Sequence, residues 1–182
     1  MSDKEVEYFP REPFVQKNIE GEPYFSIEYS WYSKQLKALQ EPSLYRNSNT
    51  ETEEYRFTYL RTFHNPIALR IRKSDDHLSI VIKICDGQGG YEPGTLDFDV
   101  EMPLSQQEWQ EFQKFFHALD FWSRKSCIKV NALDGSMWLL EAKKQDQYHF
   151  VTRYAGGDPD FYDCCSFMIQ LSSLLIPKSE RY

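Results

Sequence analysis

The sequence predicts an α+β fold: a mostly antiparallel sheet of about six to seven strands with two to three packed helices. Three observations lead there. Between residues 55 and 102, four apolar or alternating runs follow one another across short polar turns, the mark of hairpin-connected strands. A strongly amphipathic stretch, "SQQEWQEFQKFFHALDFW", then interrupts them with helical spacing. Finally "SMWLLEAKK" and "QYHFVTRY" read as a second hairpin, and a mostly apolar helical segment closes the chain. The 182 residues suit a single domain large enough to bury a core without disulfides or metals.

Taken in order, residues 1–23 hold Pro10, Pro13 and Pro23 among charges and read as an irregular arm on the surface; residues 24–182 form the single α+β domain. In residues 24–41 the second half is helical: Trp31, Gln35, Leu36 and Leu39 share a face, and Pro42 supplies the stop. Residues 43–54 are an acidic connector. "YRFTYLRTF" (55–63) is aromatic and β-branched. "IALRIRK" (67–73) sets Ile67, Leu69 and Ile71 on one face, with Arg70 and Arg72 on the other. "LSIVIKICD" (78–86) is nearly all apolar, so it should be covered on both faces. In "LDFDVEM" (96–102), Leu96, Phe98, Val100 and Met102 point inward while Asp97, Asp99 and Glu101 point outward.

Ser105 and Glu108 have capping-box spacing, and Trp109, Phe112, Phe116 and Leu119 recur on the face that should lie on the sheet. "SCIKVNA" (126–132) reads as a short strand. Asp158 and Pro159 start the last helix as N-cap and first helical residue. That helix keeps only a thin polar stripe of Asp163, Ser166, Gln170 and Ser173, which predicts deep burial or an oligomer interface.

Composition narrows the function. The net charge of -7 argues against nucleic acid, which needs clustered Lys and Arg, and suits a soluble chain or one that docks onto a basic protein. Cys85, Cys127, Cys164 and Cys165 match no zinc or iron–sulfur spacing, so reduced thiols and a cytoplasmic location are expected. His64, His77, His117 and His149 include no pair with ligand spacing; neither metal nor cofactor is expected. The first residues lack a signal-peptide profile, and no apolar run reaches the length of a membrane span. A monomer or homodimer is expected.

Three segments hold residues capable of chemistry. "DGQGGYEPG" lies between two strands with no Lys and no following helix, which a phosphate loop would require; it reads as a wide turn, with Asp86 and Tyr91 as rim contacts for a partner. "RTFHNP" puts Arg61 and His64 at a strand end, where a His could act as acid or base, although no Ser or Cys nucleophile is identifiable nearby. The third is the hairpin. An even loop sets Trp138 opposite Arg153 and Glu141 opposite Phe150; a three-residue loop sets Glu141 opposite His149, a pairing that could orient an imidazole. The even register is expected, because it gathers Trp138, Leu140, Ala142 and Val151 on one face. It offers an Arg over a Trp ring, worth about 0.5–1 kcal/mol when exposed.

The segments "SWYSKQLKALQEPSLY", "YRFTYLRTFHNPIALRI", "DGQGGYEPGTL", "DGSMWLLEAKKQDQYHFVTRY" and "CCSFMIQLSSLL" resemble, in that order, a group of uncharacterised bacterial proteins. The resemblance covers most of the chain from about residue 29. It implies a bacterial origin and a self-contained domain, and it carries over no activity and no functional residue.

Three function classes compete. The first is a non-catalytic cytoplasmic binding protein, for example an immunity-type protein that neutralises a basic toxin, an example resting on composition and analogy. Its binding residues would come from Arg61, His64, Asp86, Tyr91, Trp138, His149 and Arg153. The second is a hydrolase-like enzyme with His149 or His64 as base, Glu141 as acid and Arg61 or Arg153 as anion clamp. The third is a small-ligand binder with an aromatic pocket between sheet and helix.

Overall fold

Alternation along a strand assigns each side chain to a face, and in this protein both faces of the central strands are covered. The structure, a computed structural model, describes residues 6–128 and 134–182. After a single 3-10 turn come β1 (Val15–Lys17) and β2 (Pro23–Phe25), a two-stranded antiparallel ribbon, and then α1 (Glu28–Ala38). β3 (Glu53–Arg61), β4 (Ile67–Lys73), β5 (Leu78–Cys85) and β6 (Leu96–Pro103) form a meander. α2 (Gln106–Ala118) crosses back, so that β7 (Ser136–Lys144) pairs with the free side of β3, and β8 (Gln147–Tyr154) pairs with β7. α3 (Pro159–Leu171) follows. The six-stranded sheet runs β6-β5-β4-β3-β7-β8 and is antiparallel throughout. This is the α+β architecture that the sequence predicts.

Local chemistry explains where the helices start. The Ser105 hydroxyl accepts from the Glu108 amide at 3.2 Å, and the Glu108 carboxylate accepts from the Ser105 amide at 2.7 Å, a complete capping box. The Asp158 carboxylate accepts from the Phe161 amide at 3.2 Å, with Pro159 at the first helical position.

One face of the sheet is apolar. Tyr55, Phe57, Leu69, Ile71, Ile80, Ile82, Trp138, Leu140 and Val151 pack against Phe112 and Phe116 of α2 and Cys164, Cys165 and Met168 of α3. Each large apolar side chain buried there contributes about 1.5–3 kcal/mol. The opposite face is mixed. Leu60, Leu139 and Phe150 pack against Tyr8, Phe9 and Phe14 of the N-terminal arm and Tyr32 and Leu36 of α1. Beside them, charged residues of the same face are also buried.

Several expectations are corrected. The N-terminal segment is not a loose surface arm: Phe9 and Phe14 are fully buried, and Phe14 stacks on Phe150 at 5.3 Å. Pro13 lies in the 3-10 turn and Pro23 opens β2, so the segment is short but regular, and its aromatic rings cover part of a sheet face. Arg70, on the face opposite Ile67, Leu69 and Ile71, is buried and held by Glu41 and Glu54. In β6 the alternation holds from Phe98 to Met102 only: a bulge opposite Ile84 and Cys85 turns Leu96 to the other face, where it packs with Leu39, Ala68 and Cys85. Phe98 and Val100 remain 40% and 37% exposed on the outermost strand. Ser126–Ile128 adopt no regular structure, and the rest of the proposed strand at 126–132 lies outside the described residues.

Candidate functional site

The 136–154 hairpin fixes which candidates can meet. Gln145 and Asp146 form its two-residue loop, with Gln145 at φ 52°, in the left-handed region. Trp138 pairs with Arg153, Ala142 with His149 and Glu141 with Phe150, which is the even register. Glu141 and His149 therefore lie on opposite faces of the sheet, and the direct dyad is absent.

His149 faces the helix side, edge-on to Phe121 at 5.2 Å, with its Nε2 donating to the Arg124 carbonyl at 2.7 Å. Burial lowers its pKa, partly offset by that carbonyl. Arg153 does not lie over the Trp138 ring as expected. Its guanidinium sits 5.8 Å from the centre of the Phe161 ring and donates to the Lys125 and Thr152 carbonyls. Trp138 instead stacks on Tyr162 at 5.3 Å and donates to the Ser136 hydroxyl at 2.9 Å.

Glu141 is fully buried in an ion network that no single segment foreshadows. Arg56 grips it with two hydrogen bonds of 2.7 and 2.8 Å, and Tyr148 donates to it at 2.9 Å. Arg56 also reaches Glu41 at 3.2 Å; Arg70 bridges Glu41 and Glu54 at 2.7 Å each; Lys83 lies 3.6 Å from Glu41. Burial pushes the Glu41 carboxyl up, but the guanidiniums of Arg56 and Arg70 outweigh it and hold the group below its usual value. Burial opposes the charge on Arg56, and Glu141 and Glu41 outweigh it in turn, so its pKa rises. Three cations meet three carboxylates in this network, and Lys143, opposite Glu54 on the same face, is buried beside it with no hydrogen bond from its Nζ among the described residues. Glu141 itself is 0% exposed, with both carboxylate oxygens engaged by Arg56 and Tyr148.

Arg61 and His64 do come together, through the last residues of the chain. Arg61, 3% exposed, donates to Glu180 at 2.7 Å and to the Asn65 carbonyl at 3.1 Å. His64 Nδ1 lies 2.7 Å from the Tyr182 hydroxyl, and the Tyr182 carbonyl accepts from Tyr59 and from Ser136. The Arg61 guanidinium is thus already neutralised by a carboxylate of the same chain. Glu180 and Tyr182 have no periodicity or motif to mark them in the sequence; their role depends on where α3 delivers the chain.

The glycine-rich loop docks on the same end of the sheet. Gly89 N donates to the His64 carbonyl at 2.8 Å, while the Gly89 carbonyl accepts from Trp31 Nε1 at 2.8 Å and Gln35 Nε2 at 3.0 Å. A Cβ at Gly89 would come within 2.8 Å of the Arg61 backbone, so this close approach requires glycine. Asp86 closes the loop base by accepting from the Thr95 amide at 2.7 Å, which lowers its carboxyl pKa. Tyr91 stands 55% exposed near Phe63.

Two cavities flank this end. One, of about 370 Å³ on the α1 side, is lined by Trp31, Leu60, Tyr91, Met137 and Tyr154, with Glu28 and Asp134 as its charged groups among the described residues. The other, of about 220 Å³ on the helix side, lies among Tyr59, Trp138, Tyr162, Ser166 and Tyr182. A further trio was not foreseen: His77 and Ser79 both contact the Glu101 carboxylate, at 2.8 and 2.6 Å. His77 Nε2 also lies 2.9 Å from Ser79 Oγ, so one ring nitrogen meets both partners and the serine donates to the carboxylate directly, whereas a triad sets the imidazole between them through its two nitrogens. Among the described residues, no group of three His, Cys, Asp or Glu is placed to hold a metal ion, and no helix is long and apolar enough to cross a membrane. No protein-family model matches the chain, and no curated protein matches it.

Proposed function

We propose that this protein is a non-catalytic interaction module that docks a basic protein partner in the α1-side cavity. One observation carries the reading: among the described residues, the charged side chains lining that cavity, Glu28 and Asp134, are both carboxylates, set among Trp31, Tyr91 and Tyr154. Carboxylates beside aromatic rings suit a lysine or arginine head, which gains from ring face and ion pair together. The exposed Ile27, Phe63 and Tyr91 around it supply apolar contact area for the partner's surface. The overall charge of -7 would speed encounter with such a partner.

The test is a fluorescence-polarisation titration with two labelled peptide sets of matched length, one Arg/Lys-rich and one Asp/Glu-rich. The basic set should bind with a marked salt dependence, and Glu28→Gln and Asp134→Asn should each weaken it by about fivefold, as expected for a rim charge pair of up to about 1 kcal/mol. Equal binding of both sets, or indifference to both substitutions, would refute the reading. A metabolite that raises the melting temperature without any peptide binding would favour the small-ligand alternative.

A further inference from the structure

The two outer strands of the sheet are treated differently. β8 is partly covered along its outer edge: the Thr152 amide donates to the Ser126 carbonyl at 2.7 Å, and His149 and Arg153 reach the Arg124 and Lys125 carbonyls. β6 has β5 as its one neighbour, and no described residue hydrogen-bonds to its other side. An unpaired edge presents a row of amide and carbonyl groups that can accept another strand. On β6 that row is flanked by side chains of two kinds. Phe98 and Val100 stand 40% and 37% exposed on the helix-side face, at the border of the apolar core. Asp99 and Glu101 project on the opposite face, and Asp97 sits at the bulge where the β5–β6 register shifts.

From this juxtaposition we infer that β6 is a docking edge for an extended, basic segment of a partner protein, which adds to the sheet as a seventh strand. The alternation requires Lys or Arg at every second position of the incoming strand, over Asp99 and Glu101, and apolar residues between them, over Phe98 and Val100. The charges also argue against a second copy of this chain as occupant. An antiparallel β6–β6 pairing that keeps the faces of the sheet continuous must set Asp99 and Glu101 of one copy against Asp99 and Glu101 of the other, and like charges directly opposite disfavour pairing. A basic strand meets no such penalty. Glu101 is already shared with Arg72 and His77, and Asp99 lies 3.7 Å from Lys83; Asp97 has no hydrogen bond or ion pair with any described residue. Asp97 and Asp99, 50% exposed at its side chain, therefore carry most of the attraction.

This surface is separate from the α1-side cavity, so the two proposals fail independently. The probe is an acetylated, amidated peptide of alternating Lys and Val, with an all-Glu-for-Lys counterpart and a version N-methylated at alternate amides. Binding is read by amide chemical shifts of the intact protein. The Lys/Val peptide should shift the amides of residues 96–102 and slow their exchange with solvent. The Glu peptide and the N-methylated peptide should each bind at least tenfold more weakly, and Asp97→Asn with Asp99→Asn should weaken the Lys/Val peptide by a similar factor while Glu28→Gln leaves it unchanged. Failure of the Lys/Val peptide to bind, equal binding of the N-methylated peptide, or shifts confined to the Trp31–Tyr91 cavity would overturn the proposal. So would self-association through β6 at the protein concentrations used.

Discussion

The Arg56 guanidinium and the Glu141 carboxylate, side by side on β3 and β7, form a two-pronged ion pair in which neither side chain reaches solvent. Such a pair is held together by its surroundings as much as by its charges. Removing one member leaves the other buried without its counter-ion, whereas removing both removes the problem. Arg56→Met should therefore lower unfolding stability by about 3–5 kcal/mol, and Arg56→Met with Glu141→Met should cost clearly less than the two single changes added together. Urea denaturation of the three variants, followed by circular dichroism, decides this; strict additivity would mean that the pair acts as two independent residues.

His149 makes stability depend on pH in a defined direction. Burial lowers its pKa in the folded state, so between that value and the unfolded value of about 6.5 the unfolded chain binds more protons. Stability from this group is complete above about pH 6.5 and is lost as pH falls through that window. His149→Gln should flatten the difference in melting temperature between pH 7 and pH 5.5. A second loss at lower pH belongs to Glu41, whose carboxyl is held below its usual value by Arg56 and Arg70, and it should persist in the His149 variant.

Gly89 should not tolerate even a methyl group. Its added Cβ would press on the Arg61 backbone, so Gly89→Ala forces the loop outward or the end of β3 inward. A cost of about 1–3 kcal/mol is expected, as for overpacking elsewhere. The Trp31 hydrogen bond to the Gly89 carbonyl should be lost with it, visible as a change in tryptophan emission. An unchanged melting temperature and spectrum would show that the loop is not clamped there.

Thiol chemistry should separate the four cysteines. Burial pushes Cys164 up to about 12 and Cys85 up to about 11, and raises Cys165 well above its ordinary value. Cys127 is also raised, to about 11, but it is the one that is not fully buried. A disulfide exchange reagent at neutral pH should modify Cys127 first and slowly, and the other three only on unfolding. Simultaneous reaction of all four would indicate an opened core.

Local rules made much of this fold legible. Ser105 with Glu108 and Asp158 with Pro159 mark helix starts through groups that hydrogen-bond within one turn, and the grouping of Trp138, Leu140, Ala142 and Val151 selects the hairpin register. Alternation, however, assigns a side chain to a face without saying whether anything covers that face. Arg56, Arg70, Lys83 and Glu141 lie in four different strands, and their buried network forms only because sheet pairing and Glu41, just past α1, bring them together. The same blindness acts in reverse at β6, where Phe98 and Val100 have the right parity for a core and no layer above them. Glu180 and Tyr182 were invisible for a third reason: they meet Arg61 and His64 across more than a hundred residues of chain, joined by nothing local.

Among the described residues, the margin at β8 is partly covered and the margin at β6 is bare, so a strand that adds at β6 would give the molecule a valence of one. A sheet with two bare margins can bind a neighbour on each side and propagate into a fibre. With the β8 margin partly obstructed at Thr152, a strand joining at β6 would meet a chain whose far side disfavours continuation, and growth would tend to stop at a single addition.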